Sequence, residues 1–97
     1  MTEGEFKRKL RRRIEETVPG VVTIITDPST SQGIPDRIFL LPNGRFAAVE
    51  AKISRNASHR PNQDYYVEKL NSMGYAAFCY PENLEDVVND IQCASKD

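Results

Sequence analysis

Gly33-Ile34-Pro35-Asp36-Arg37-Ile38-Phe39-Leu40-Leu41-Pro42-Asn43-Gly44-Arg45-Phe46-Ala47-Ala48-Val49-Glu50-Ala51-Lys52 is the stretch that decides the fold. Two apolar runs, Arg37–Leu41 and Phe46–Ala51, flank Pro42-Asn43-Gly44. Asn-Gly between apolar runs is a strong hairpin signal, so the stretch reads as two antiparallel strands. Glu50 and Lys52 sit two apart on the second of them and share a face, while Ala51 points to the other. The face of Asp36 depends on the parity of the turn. A two-residue turn pairs position 36 with 51 and sends Asp36 to the wrong side. A three-residue loop, Asn43-Gly44-Arg45 with a left-handed glycine, pairs 36 with 52 and aligns all three charged residues.

Outward from the hairpin, Thr2 can cap a helix that runs to about Val18, where Pro19-Gly20 stops it. Phe6, Leu10 and Ile14 form its narrow apolar stripe, and Lys7, Arg8, Lys9, Arg11, Arg12 and Arg13 surround it. Val21 to Thr26 is β-branched and reads as a buried strand. A polar loop, Asp27 to Gly33, follows. After the hairpin comes a basic polar loop over 52–60, then a helix from about Pro61 to Met73, with proline in its first turn and Gly74 at its end. Tyr66, Leu70 and Met73 read as core residues of that helix. Tyr75 to Tyr80 is a fourth strand. Pro81-Glu82-Asn83 leads into a last helix carrying Leu84, Val87, Val88 and Ile91, and the tail Ala94–Asp97 is expected to fray. The order is α-β-β-β-α-β-α, an α/β arrangement with a mixed central sheet and helices on both faces.

The whole-chain properties bound the function. Ninety-seven residues fit one domain over positions 1–97, and 39% hydrophobic with 28% charged residues is ordinary globular composition. No apolar run approaches the roughly 20 residues that cross a bilayer, and the charged N-terminus is unlike a signal peptide. Cys79 and Cys93 lack metal-ligand spacing and read as free thiols of a reducing cytosol. Asn56-Ala57-Ser58 fits a glycosylation sequon, which carries no meaning without secretion. The net charge of -1 hides an asymmetry: residues 1–60 hold eleven Lys or Arg against seven Asp or Glu, and residues 61–97 hold two against seven. The basic half is where a polyanion would be met.

Two carboxylates converging on one point bind a hard, oxygen-preferring cation such as Mg²⁺ or Mn²⁺. Such an ion polarises a phosphoryl oxygen and acidifies bound water. A lysine beside them can orient or deprotonate that water, or stabilise developing negative charge. An isolated Glu-x-Lys is usually a solvated pair; here Glu50 emerges from a buried apolar run beside Asp36, which favours chemistry.

Gly33-Ile34-Pro35-Asp36-Arg37, the hairpin and Val49-Glu50-Ala51-Lys52 together resemble the motifs of PD-(D/E)XK nucleases, and more narrowly the VRR-NUC branch, over about residues 1–91. The resemblance implies a restriction-endonuclease-like core and a metal-dependent DNA endonuclease with Asp36, Glu50, Lys52 and Gln63 catalytic. It further implies a metal held by Asp36, Glu50 and the backbone carbonyl of Ala51, with an acidic residue of the first helix. The position that aligns with that acid is Lys7, a departure from the pattern. Glu3, one turn earlier on the same face, is the favoured substitute, with Glu5 and Glu15 behind it. Beside such a site the cations Lys7, Arg8, Arg11, Arg12, Arg55, His59 and Arg60 read as a DNA footprint. Stand-alone members resemble Holliday-junction resolvases, which implies a homodimer acting on four-way junctions, in a bacterial or phage-infected cytoplasm. The competing reading is an inactive nuclease fold serving as a DNA-binding or assembly module.

Overall fold

The computed structural model describes residues 1–27, 29 and 31–96. Helix α1 spans Glu3–Thr17, followed by strands β1 (Val22–Ile25), β2 (Arg37–Leu40) and β3 (Phe46–Ala51). Helix α2 (Gln63–Met73), strand β4 (Tyr75–Cys79), a 3₁₀ turn (Pro81–Asn83) and helix α3 (Leu84–Ala94) complete the order expected from sequence. Thr2 caps α1 as its type predicts: its hydroxyl accepts from the Glu5 N–H at 3.1 Å.

The four strands lie in the order β1-β2-β3-β4. The first two pairings are antiparallel and β3–β4 is parallel. A parallel neighbour demands a crossover, and α2 supplies it. Phe6, Leu10 and Ile14 of α1, Leu84, Val87, Val88 and Ile91 of α3, and Phe39, Ala47, Val49 and Ala51 of the sheet form one buried cluster. Alternate residues of β3 thus face α1 and α3, and Ala48 and Glu50 turn to the opposite face. Helix α2 packs on β3 and β4 and adds no residue to that cluster.

The structure corrects four sequence expectations. The strand expected to be buried is an edge strand, with Val22 56% and Ile25 58% exposed. β-branched composition favours a strand but does not say what covers it, and among the described residues β2 is the only strand beside it. The hairpin loop is shifted by one residue: the Leu41 N–H donates to the Arg45 carbonyl at 2.8 Å, enclosing Pro42-Asn43-Gly44. Proline suits the first loop position, Asn43 Oδ1 accepts from the Arg45 N–H at 3.1 Å, and Gly44 takes φ +88° at the last. Parity is unchanged, but Arg37 pairs with Val49, so Asp36 falls opposite Glu50 and not Lys52. Helix α2 begins at Gln63 rather than near Pro61, because Asn62 is left-handed at φ +72°. Met73 is 65% exposed, not core, because it ends α2 beside Gly74 beyond the face that packs on the sheet; Tyr66 and Leu70 are half-buried. The fraying expected of the tail falls partly on Asp97, outside the described residues. Among the described residues no helix is long and apolar enough to cross a membrane.

Candidate active site

The open end of the hairpin, where β2 begins and β3 ends, floors a cavity of about 510 Å³. Its lining includes Glu3 and Lys7 of α1, Asp36, Glu50, Lys52, and Arg60 and Gln63 at the start of α2. Hairpin parity brings the acids together, and the Asp36 backbone is fixed from behind. The Thr26 N–H donates to the Asp36 carbonyl at 3.2 Å, and the Thr26 hydroxyl to the carbonyl of fully buried Pro35 at 2.8 Å. Glu50, Lys52 and Gln63 are 7%, 6% and 5% exposed, and they are the polar residues buried most deeply. Burial of such groups is costly unless they are partnered or functional.

Asp36, Lys52 and Gln63 have the following partners. Asp36 Oδ1 accepts from the Ala51 N–H at a long 3.4 Å. Asp36 Oδ2 lies 3.1 Å from Lys7 Nζ, an ion pair by distance, yet no donor is aligned on that buried oxygen. Lys52 Nζ donates to the Ser58 carbonyl at 3.1 Å, which anchors the loop after β3. Gln63 Oε1 accepts from the Arg60 N–H at 2.8 Å.

Burial pushes the Glu50 carboxyl up to about 7, and the charge of Asp36 adds to the effect. Burial also raises Asp36, against the pull of Lys7. A carboxyl raised in this way destabilises the metal-free protein as pH rises. Between its ordinary 4.5 and about 7 the folded state retains a proton that the unfolded chain has lost. Stability is therefore expected to fall by on the order of 2–3 kcal/mol from pH 5 to pH 8, with Glu50→Gln removing most of the slope. Urea denaturation in chelator at both pH values checks this; wild-type stability that rises over that window would contradict it.

Gly33 sets the approach of the loop to α2. Its φ is +93°, and a Cβ there would meet the Asn62 backbone at 2.6 Å, directly before Gln63. Gly33→Ala combines left-handed strain with a backbone clash and is expected to cost about 3 kcal/mol. Gly44→Ala, with φ +88° but open space around it, is the control and should cost only about 1–2 kcal/mol. Equal losses in denaturant titrations would show that the Gly33–Asn62 contact contributes nothing.

The remaining sequence candidates are placed as follows. Glu5 serves the α1 cap, its carboxylate accepting from Thr2 Oγ1 at 3.1 Å. Glu15 accepts from Arg11 and from Thr23. Only Glu3 of the three reaches the cavity, where Lys7 Nζ lies 3.6 Å from it. Among the described residues no group of three or more His, Cys, Asp or Glu is arranged to hold a metal; the acids that converge are two. Arg12 pairs with Glu16, Arg55 with Glu82, and Arg13 bridges to Glu85 on α3. His59 is stacked on Phe78 and engages Asp64 at 2.7 Å. Cys79 is buried, Cys93 exposed, and both are free.

One charged cavity residue is not legible as such in the sequence. Arg37 alternates with Asp36 along β2 and so reads as facing away, yet it lines the cavity, and its Nη1 donates to the Asp36 carbonyl at 3.0 Å. Lys7 is legible as a cation beside the site, in the phosphate-contacting set, but not as a partner of Asp36.

A solved structure described as a VRR_NUC domain superposes with a TM-score of 0.72, covering 90% of this chain and 94% of that one at 22% identity. At that identity the likeness is one of fold, and the restriction-endonuclease-like architecture expected from the sequence is the one observed. No family model matches the sequence. No curated protein matches it either.

Proposed function

We propose that the protein is a divalent-metal-dependent endonuclease that hydrolyses DNA phosphodiester bonds. The carrying observation is the convergence of Asp36 and Glu50, with Lys52 beside them, in one cavity of a fold shared with a VRR_NUC domain. The donor set suits Mg²⁺ or Mn²⁺: two hard carboxylates lining one cavity, few enough to leave water on the ion. Asp36, Glu50 and the Ala51 carbonyl would hold it. When bound, the ion supplies Lewis-acid stabilisation of phosphoryl charge and a more acidic water.

The protein's own groups do the rest. Lys52, held by Ser58, presents a fixed ammonium to the scissile phosphate and the attacking water. Gln63, pinned by the Arg60 N–H, stands across the cavity to orient the same groups. Arg60 at the rim, with Arg8 and Arg55 nearby in sequence to the site's elements, meets the flanking phosphates. The α1 pairs Arg11–Glu15 and Arg12–Glu16 are exposed enough to be weak, so both arginines remain open to phosphate contact.

Selectivity for branched DNA and action as a homodimer complete the reading. The exposed apolar residues Val22, Ile24 and Leu40 lie together on one face at the β1 edge of the sheet, with Val22 paired to Leu40. That edge is open to a second copy, and a two-fold dimer matches the symmetry of a four-way junction. Light scattering at low micromolar concentration should give twice the monomer mass, and four-way junctions offered with Mg²⁺ should receive paired nicks near their centre. A monomer that degrades linear duplex equally well would remove the dimer and junction parts and leave the nuclease standing.

A further inference from the structure

The first helix brings a lysine, not a third carboxylate, to the two acids. Glu3 and Lys7 lie one turn apart on one helical face. The Lys7 ammonium sits 3.6 Å from Glu3 Oε2 and 3.1 Å from Asp36 Oδ2, with its side chain only 25% exposed. The two oxygens of Asp36 are thereby divided: Oδ1 faces the Ala51 N–H, and Oδ2 faces the ammonium. Glu3 and Asp36 Oδ2 are the oxygens that could grasp a second divalent ion, and a fixed positive charge already stands between them. Two-metal sites hold their ions about 3.5–4 Å apart. An ion at Glu3 and Asp36 Oδ2 would have to share that space with Lys7 Nζ.

Resting on the metal-dependent reading above, we propose that Lys7 is a resident cation that takes the place of a second metal, so that the site accepts a single divalent ion between Asp36 and Glu50. Glu3 then serves Lys7 rather than the metal. Lys7 is a positioning residue: it orients Asp36 and repels further cations, and its charge is what matters.

Calorimetric titration of the metal-free chain with Mn²⁺, with electron paramagnetic resonance to count bound ions, tests this. Wild type should take up one Mn²⁺ per chain. Lys7→Met keeps most of the side chain's length and loses its charge. It should either admit a second Mn²⁺ or bind the first roughly tenfold or more tightly, the scale on which a neighbouring charge alters a carboxylate's affinity for a cation. Lys7→Arg retains the charge and should behave as wild type. Lys7→Gln carries the same expectation as Lys7→Met should the latter fail to fold. Two ions in wild type, or one ion bound with equal or weaker affinity by both neutral variants, would overturn the assignment while leaving the metal reading intact. No Mn²⁺ binding by wild type or the neutral variants would overturn both.

Discussion

Asp36→Asn and Glu50→Gln should each lose DNA cleavage by about a thousandfold or more, as expected when several kcal/mol of metal-borne stabilisation disappear. Both carboxylates line the same cavity, and burial raises the cost of charging Glu50 beside Asp36 unless a cation lies between them. The substitutions are nearly isosteric, so the fold should survive, and Glu50→Gln should stabilise the metal-free protein above pH 7 by removing a buried charge. Calorimetry should show Mn²⁺ binding to wild type, severely weakened in both variants. Wild-type affinity should also climb with pH up to about 7, where the Glu50 proton ceases to compete, and then level off. Undiminished Mn²⁺ binding in both variants would remove the proposed site.

Lys52→Ala should abolish cleavage as completely, while DNA affinity stays within a few-fold of wild type. One ammonium among many surface cations adds little to binding a polyanion. In the reaction its place is fixed: Lys52 is buried beside Glu50, and its Nζ is held at 3.1 Å from the Ser58 carbonyl. Losing an interaction made only in the transition state lowers turnover without altering ground-state affinity. Single-turnover rates measured beside equilibrium binding on the same DNA separate the two. A parallel loss of affinity would make Lys52 a phosphate contact, and unimpaired turnover would remove it from the reaction.

What could be read from the sequence follows from what each signal measures. Periodicity reports which face of an element is apolar, so Phe6, Leu10 and Ile14, and Leu84, Val87, Val88 and Ile91, were legible as core, as observed. Turn chemistry gave the hairpin but left the parity open between a two-residue turn and the three-residue loop that puts Asp36 and Glu50 on one face. It did not give the frame, because Asn-Gly fits more than one three-residue loop, and Pro42 and the Asn43 side chain choose between them. Strand composition could not say that β1 lies at an edge, since coverage depends on which elements pack over it. The partners of long cations were the least legible. Lys7 on its charged helix reads as a phosphate contact, and its reach to Asp36 depends on how α1 docks against the sheet.

The Asp36–Glu50–Lys52 site is proposed to cleave phosphodiesters with a divalent metal. The most direct test is incubation of the purified chain with linear duplex, flap, fork and four-way-junction DNA, in Mg²⁺, in Mn²⁺ and in chelator, beside Glu50→Gln. Wild type should cut at least one of these DNAs with either ion and none in chelator, and Glu50→Gln should be inert throughout. Wild type that binds these DNAs but cuts none with either ion, or Glu50→Gln that cuts like wild type, would contradict the account.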